Sequence, residues 1–159
     1  MTPKDKEPVK RVEKIIKEFD KNLNVSLLKT SARTALEAAT SLNCNVGAIV
    51  KSLLFKTDNK YALFLIAGDK KASLKKIKKN IKFSDVSMAS ADEVKSITGY
   101  TIGGVSPVGH INNVDIYIDN SLERFDFLFA AAGHPNCIFK ISFLDLKTIT
   151  KGVIEDIIE

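Results

Sequence analysis

Two apolar runs constrain the fold most: Val50–Lys56 and Tyr61–Ala67, separated only by Thr57-Asp58-Asn59-Lys60. Strand-like runs this close pair antiparallel through a tight turn, and Asp-Asn is turn chemistry. A β-hairpin is expected, and an isolated hairpin is not stable without further layers. The rest of the chain offers them. Val9–Phe19 has apolar residues at Val9, Val12, Ile15, Ile16 and Phe19, the spacing of a one-sided helix. Ser31–Leu42 reads as a second helix, with Ser31 as cap and Ala35, Leu36, Ala38, Ala39 and Leu42 as its buried face. Ser73–Lys79 is a third, capped by Ser73. Ser90–Thr98 opens on a capping box, Ser90 with Glu93, and stops at Gly99. Val114–Ile118, Phe127–Ala132 and Cys137–Ile141 read as strands, the last two joined by the turn Gly133-His134-Pro135-Asn136. Ser142 caps a short helix through Leu146, and Val153–Ile158 is a last strand or helical turn. No β-α-β rhythm is sustained. The expectation is an α+β fold in a single compact domain over residues 1–159, with a mixed, mainly antiparallel sheet flanked by helices. Residues 1–8 are expected to be a loose tail.

Composition narrows the function classes. The longest apolar run, Tyr61–Ala67, is far short of the roughly twenty residues a membrane-spanning helix needs. The first twenty residues are charged throughout and lack the apolar region of a secretory signal. Only two cysteines occur, Cys44 and Cys137, in no CxxC pair. No disulfide scaffold is possible on that basis, and the expected location is the reducing cytoplasm, away from membranes. The charge is uneven: residues 1–80 carry 18 basic and 8 acidic groups, residues 81–159 carry 6 and 11. Seven lysines fall in the thirteen residues Lys70–Lys82. Such a block either is a solvated helix face, with Leu74, Ile77 and Ile81 turned to the core, or holds phosphates through a sequence-blind, salt-dependent attraction.

Familiar catalytic signatures are missing. Gly104-Val105-Ser106-Pro107-Val108 breaks the GxSxG elbow at its last position, and Gly104–Gly109 has P-loop glycine spacing with His110 where lysine should stand. Cys44, His110, His134 and Cys137 lack paired ligand spacing apart from HPNC, so no metal and no cofactor is expected. Three features are left. Gly99–His110 holds four glycines and a proline in twelve residues. It is either an ordered connection or a loop whose N–H groups face an anion or a developing oxyanion. Gly133-His134-Pro135-Asn136 follows Ala130-Ala131-Ala132, small residues that leave room for a pocket or for close packing. Lys51 lies in an otherwise apolar strand, with Leu53 and Phe55 on one face and Val50, Ser52 and Leu54 on the other. Lysine is seldom buried unpaired, so it sits at a solvated edge or points into a polar cleft.

Taken together, these pieces resemble the YbaK/ProX family of aminoacyl-tRNA deacylases, whose fold also forms the editing insertion of bacterial prolyl-tRNA synthetases. The matching segments are Arg33–Ala39 (RTALEAA), Ile49–Leu53 (IVKSL), Ala67-Gly68-Asp69, Gly99–Gly109 (GYTIGGVSPVG) and Ala131–Asn136 (AAGHPN), covering roughly residues 31–150. The resemblance implies a pocket that accepts the 3′ end of a mischarged tRNA and hydrolyses its ester. The expected substrate is tRNA-Pro carrying a small amino acid such as cysteine or alanine, with a synthetase as a further partner. It implies catalytic roles for Lys51, as the pocket lysine, and for Gly103 and Gly104, whose N–H groups would face the ester carbonyl. Thr34, Asp69, Pro107, Gly109, Gly133, His134 and Pro135 are the expected substrate-binding positions. Lys70, Lys71, Lys75, Lys76, Lys78 and Lys79 are the expected tRNA contacts. The chemistry is compatible with the lack of a triad: an aminoacyl ester is already activated, and positioning with oxyanion stabilisation can suffice. The alternative is a non-catalytic module of the same fold that binds tRNA or nucleotide ends, or docks on a synthetase.

Overall fold

The computed structural model describes residues 2–30 and 32–159. In chain order, helix α1 (Glu7–Phe19) is followed by strand β1 (Val25–Leu27), helix α2 (Ala35–Leu42), strands β2 (Ile49–Thr57) and β3 (Lys60–Ala67), and helix α3 (Leu74–Ile81). Strand β4 (Val86–Met88), helix α4 (Ala91–Thr98), strands β5 (Asp115–Asp119), β6 (Phe127–His134) and β7 (Cys137–Ser142), helix α5 (Phe143–Thr150) and strand β8 (Val153–Glu155) complete it. Short 3-10 turns lie at Pro3–Asp5, Val46–Ala48 and Asn120–Arg124.

The hairpin forms the centre of the sheet. Thr57 pairs with Lys60, leaving the two-residue loop Asp58-Asn59, with Asp58 at φ +53°. The Asp58 carboxylate then accepts the N–H groups of Ser84 and Asp85 at 3.1 and 2.8 Å and so fixes the approach to β4. The sheet order is β1-β7-β6-β2-β3-β5-β8, with β4 also on β2. The pairs β1–β7, β2–β3, β2–β4 and β6–β7 are antiparallel, and β2–β6, β3–β5 and β5–β8 are parallel. The mixed, mainly antiparallel α+β expectation holds.

Both faces of the hairpin are covered. Val50, Leu54, Leu63 and Leu65 meet Val9, Val12 and Ile16 of α1 and the buried residues of β6 and β7 in one core. Phe55, Phe64 and Ile66 meet Ile77 of α3 and Ile157 in a second. Caps set the helix starts: the side chains of Thr34, Ser73, Ser90 and Ser142 each accept an N–H from the first turn of α2, α3, α4 and α5.

Several expectations need correction. Ser31 lies outside the described residues, and α2 begins at Ala35 with Thr34 as its cap. Leu36, expected on the buried face of α2, is 68% exposed; Ala38 and Ala39 are the buried residues. Leu74 of α3 is exposed too, while Ile77 is buried. The first residues, expected to be a loose tail, hold the 3-10 turn at Pro3–Asp5 and the start of α1 at Glu7. Strand β6 continues to His134, so the tight turn is Pro135-Asn136, with a bulge between Ala131 and His134. Helix α5 runs to Thr150 rather than Leu146. The short strands β1 and β4 carry too few residues to show an alternation.

Candidate active site

A split in the sheet makes the site. Along its outer edge β2 pairs with β6 only at Ile49 and Val50, and with β4 only at Phe55, Lys56 and Thr57. The cause lies in β6. After Ala131 it bulges, and Gly133 at φ +90° carries it against the start of α1. A Cβ at Gly133 would lie 2.9 Å from the carbonyl carbon and oxygen of Pro8. Between the two ladders, the edge of Lys51–Leu54 faces a cavity of about 360 Å³. The Leu54 carbonyl on this edge accepts the Ala89 N–H at 3.1 Å, whereas the Ile49 carbonyl turns the other way to Gly68 at 2.8 Å. By strand alternation the N–H and C=O of Ser52 face the split, as those of Leu54 do.

The cavity wall is mostly apolar. The segment before α2 and its first turns contribute Ala32, Thr34, Ala35 and Ala38; β6 contributes Phe129, Ala130 and Ala131; β7 contributes Cys137 and Ile138. Ala89 and Val94 close the β4–α4 side, and Val105 comes from the glycine-containing loop. At the rim stand Met88 and Ile102, 68% and 62% exposed although both line the cavity. The polar side chains in the wall are Arg33, Thr34, Lys51 and Ser52. The Ser52 hydroxyl is buried with no hydrogen-bond partner among the described residues.

Lys51 stands where the cavity meets the loop after β3. Its ammonium donates a hydrogen bond to the Lys70 carbonyl. Burial pulls its pKa below the ordinary lysine value; Asp69 opposes this and Lys71 adds to it. An ammonium has three donors, so two are left for a ligand. Lys51 therefore sits in the cleft and not merely at a solvated edge.

The glycine-containing loop divides into two parts. Gly103 lines the cavity and occupies the third position of a turn closed by the Gly104 N–H on the Thr101 carbonyl at 3.0 Å. Its φ of +94° is what a type II turn requires there. Beyond this turn the loop is packed. The single Tyr100 hydroxyl proton is shared between the carbonyls of Val108 and Gly109, at 2.6 and 2.9 Å, and Arg11 of α1 donates to the Gly109 carbonyl at 2.7 Å. The Arg11 guanidinium lies 5.0 Å from the centre of the Tyr100 ring, whose pKa burial pushes up to about 12. His110 bonds the Ser106 carbonyl at 2.7 Å, and burial lowers its pKa.

The structure thus sorts the expected site residues. Lys51, Gly103, Thr34 and Pro135 share one cavity. Gly104 does not line it: its N–H is engaged by Thr101, and a Cβ there would lie 2.9 Å from the backbone of His134. Gly104 brings its own loop into close contact with the loop at His134. Pro107 is buried within the packed loop, and Gly109 is placed against Tyr100, where a Cβ would lie 2.6 Å from the hydroxyl. Gly133 shapes the bulge, and the His134 Nδ1 accepts the Asn136 N–H at 3.0 Å. Asp69 is beside the cavity rather than in it, held by Arg124 at 2.9 and 3.1 Å, which lowers its pKa. Of the lysine block, Lys71, Lys75, Lys78 and Lys79 are exposed, while Lys76 pairs with Asp156 at 3.0 Å. Ser52 is not among the expected site residues; only the unpaired edge of β2 and its buried, unpartnered hydroxyl bring it into the site. Among the described residues there is no cluster of three or more His, Cys, Asp or Glu side chains that could hold a metal ion. Among the described residues no helix is long and apolar enough to cross a membrane.

Comparison with known proteins agrees with this geometry. The model of the aminoacyl-tRNA editing domain matches residues 29–149, which include every cavity-lining residue. The Bacillus subtilis (strain 168) protein YwhH, itself uncharacterized, is 31% identical over 131 residues, covering 82% of this chain and 83% of its own. A proline–tRNA ligase of Caldicellulosiruptor bescii is 29% identical over 130 residues. That match takes in 76% of this chain but only 22% of the ligase. The crystal structure of a candidate trans-editing enzyme for prolyl tRNA synthetase superposes with a TM-score of 0.90 at 32% identity, covering 100% of this chain and 99% of that one. The chain belongs to the aminoacyl-tRNA editing domain family.

Proposed function

We propose that this chain is a trans-acting deacylase that removes a small amino acid, such as alanine or cysteine, from mischarged tRNA-Pro. The observation that carries this reading is the cavity in the sheet split: an apolar recess with a half-buried lysine at its mouth and an unpartnered hydroxyl in its wall. In the reaction a water oxygen bonds to the acyl carbon and the ester C–O bond to the ribose breaks. The ribose oxygen keeps the bonding electrons and takes a proton, leaving free amino acid and tRNA. Lys51 directs its two free N–H donors at the developing oxyanion or at the terminal phosphate. Gly103 keeps the wall thin where the terminal ribose enters. Among the described residues no His, Asp or Glu lines the cavity. The family resemblance implies that the substrate assists its own hydrolysis, through the neighbouring ribose hydroxyl or, for a cysteinyl ester, the thiol, with positioning supplying the acceleration.

The lysine block extends this site outward. The Lys70 carbonyl touches Lys51, and α3 starts only four residues later, with Lys75, Lys78 and Lys79 exposed. That exposed basic face supports a contact with acceptor-stem phosphates. Replacing these three lysines by glutamine is expected to weaken tRNA binding. The log–log salt slope should become shallower by about 0.9 for each duplex phosphate no longer neutralised. Hydrolysis of a minimal aminoacyl-nucleotide should be spared. An unchanged slope would return α3 to the role of a solvated face. Failure of the native protein to hydrolyse either substrate would remove the deacylase reading.

A further inference from the structure

The cavity has cations at its mouth and, among the described residues, no carboxylate in its wall. Arg33 and Lys51 line it, and Lys71 is near enough to Lys51 to disfavour its charge. The carboxylates on the surrounding elements lie outside the lining. Asp69 is held by Arg124, Glu93 accepts from Tyr61 and from the Ser90 N–H, and Glu37 accepts from the Thr34 hydroxyl. Asp92 is exposed on α4, outside the lining. The group inside the wall that could meet a polar substrate atom is the Ser52 hydroxyl, beside the Ser52 backbone groups on the open strand edge.

An aminoacyl ester carries its amine on the carbon next to the ester carbonyl. If the carbonyl sits at Lys51, the amine enters the cavity as well. As an ammonium it would be buried in an apolar recess, near two cations and with no carboxylate in the lining, which is disfavoured. As a neutral amine it can both donate to and accept from Ser52. An α-amine titrates at roughly 7.7–8.0 and loses its proton far more readily than a lysine. We infer that the site admits its substrate with the α-amino group uncharged and excludes the ammonium form. This rests on the deacylase reading, and it names the form of the acyl group that the same cavity accepts.

The test uses the native protein and a pair of esters on the same tRNA: alanyl, and its 2-hydroxy counterpart lactyl, which has no amine to titrate. Titrations of the protein itself, Lys51 and His134 included, act on both esters and cancel in the ratio of their kcat/KM values. Below the α-amine value the alanyl-to-lactyl ratio is expected to fall about tenfold per pH unit, reaching roughly one hundredth of its plateau near pH 5.7. A ratio that stays flat, or rises as the pH falls, would overturn the inference while leaving the deacylase intact. Absence of hydrolysis of either ester at every pH would remove the deacylase reading, and the inference with it.

Discussion

Replacing Lys51 by alanine is expected to lower kcat/KM for ester hydrolysis by at least about tenfold, a loss of about 1.4 kcal/mol of transition-state stabilisation. The lysine is the charged group shared by the cavity wall and the loop that begins the basic block. Its burial disfavours its charge, so the folded protein holds this ammonium at a cost. The sign follows: the folded state binds this proton less well than the unfolded chain does. Stability owed to this group therefore rises as pH climbs from its lowered folded value toward 10.5. Lys51→Met, which keeps the aliphatic stem and removes the charge, is expected to melt no lower than the native protein at neutral pH while losing the same activity. Unchanged hydrolysis in Lys51→Ala would remove the lysine from the mechanism. A large fall in melting temperature in Lys51→Met would mean that the ammonium serves the fold.

Gly104→Ala is the second large effect, and it is an effect on stability. The added Cβ would lie 2.9 Å from the Cα and N of His134 and 3.1 Å from the carbonyl carbon of Gly133. All three are backbone atoms, so no side chain can move aside to relieve the clash. Overpacking of this kind costs about 1–3 kcal/mol. For a domain of this size each kcal/mol lowers the melting temperature by roughly 2–4 °C. Gly103→Ala is the contrasting variant. Its Cβ would have 3.5 Å to Pro135 and 3.6 Å to Arg33, so there is space, but it would project into the cavity from a residue at φ +94°. Gly103→Ala should lose both stability, because alanine is strained at that φ, and activity, whereas Gly104→Ala should lose stability while each folded molecule keeps its activity. A Gly104→Ala protein that melts normally yet fails to hydrolyse the ester would restore Gly104 to the chemistry.

These two glycines show where the sequence is informative. GG within a loop signals backbone freedom, but both residues look alike until the partner of each amide is known. Gly104 turns its N–H to Thr101, three residues back, but its Cα to His134, and no local pattern encodes that second approach. The hairpin, the capping box at Ser90 and Glu93, and the αL stop at Gly99 are legible because each depends on residues within a few positions. Helix α2 is harder to read because its exposed Leu36 and its cap at Thr34 depend on how it lies over β2 and β7. Lys51 stands out as a charge in an apolar strand. Ser52 does not, because a serine among valine and leucine is notable only once the edge of β2 is known to be unpaired. The split itself depends on β6 bulging near Gly133, some eighty residues further along the chain. No window of sequence contains both strands.

The central claim is that this cavity removes acyl groups from tRNA, and the most direct measurement is the loss of the aminoacyl group from a panel of mischarged tRNAs. Each would be followed with the native protein, with Lys51→Ala and without protein. The account predicts that small acyl groups on tRNA-Pro are lost faster with the native protein than without it, and that Lys51→Ala gives up most of this acceleration. Binding of those tRNAs with every acyl group retained would contradict it, and would leave a module that recognises tRNA ends or docks on a synthetase without chemistry of its own.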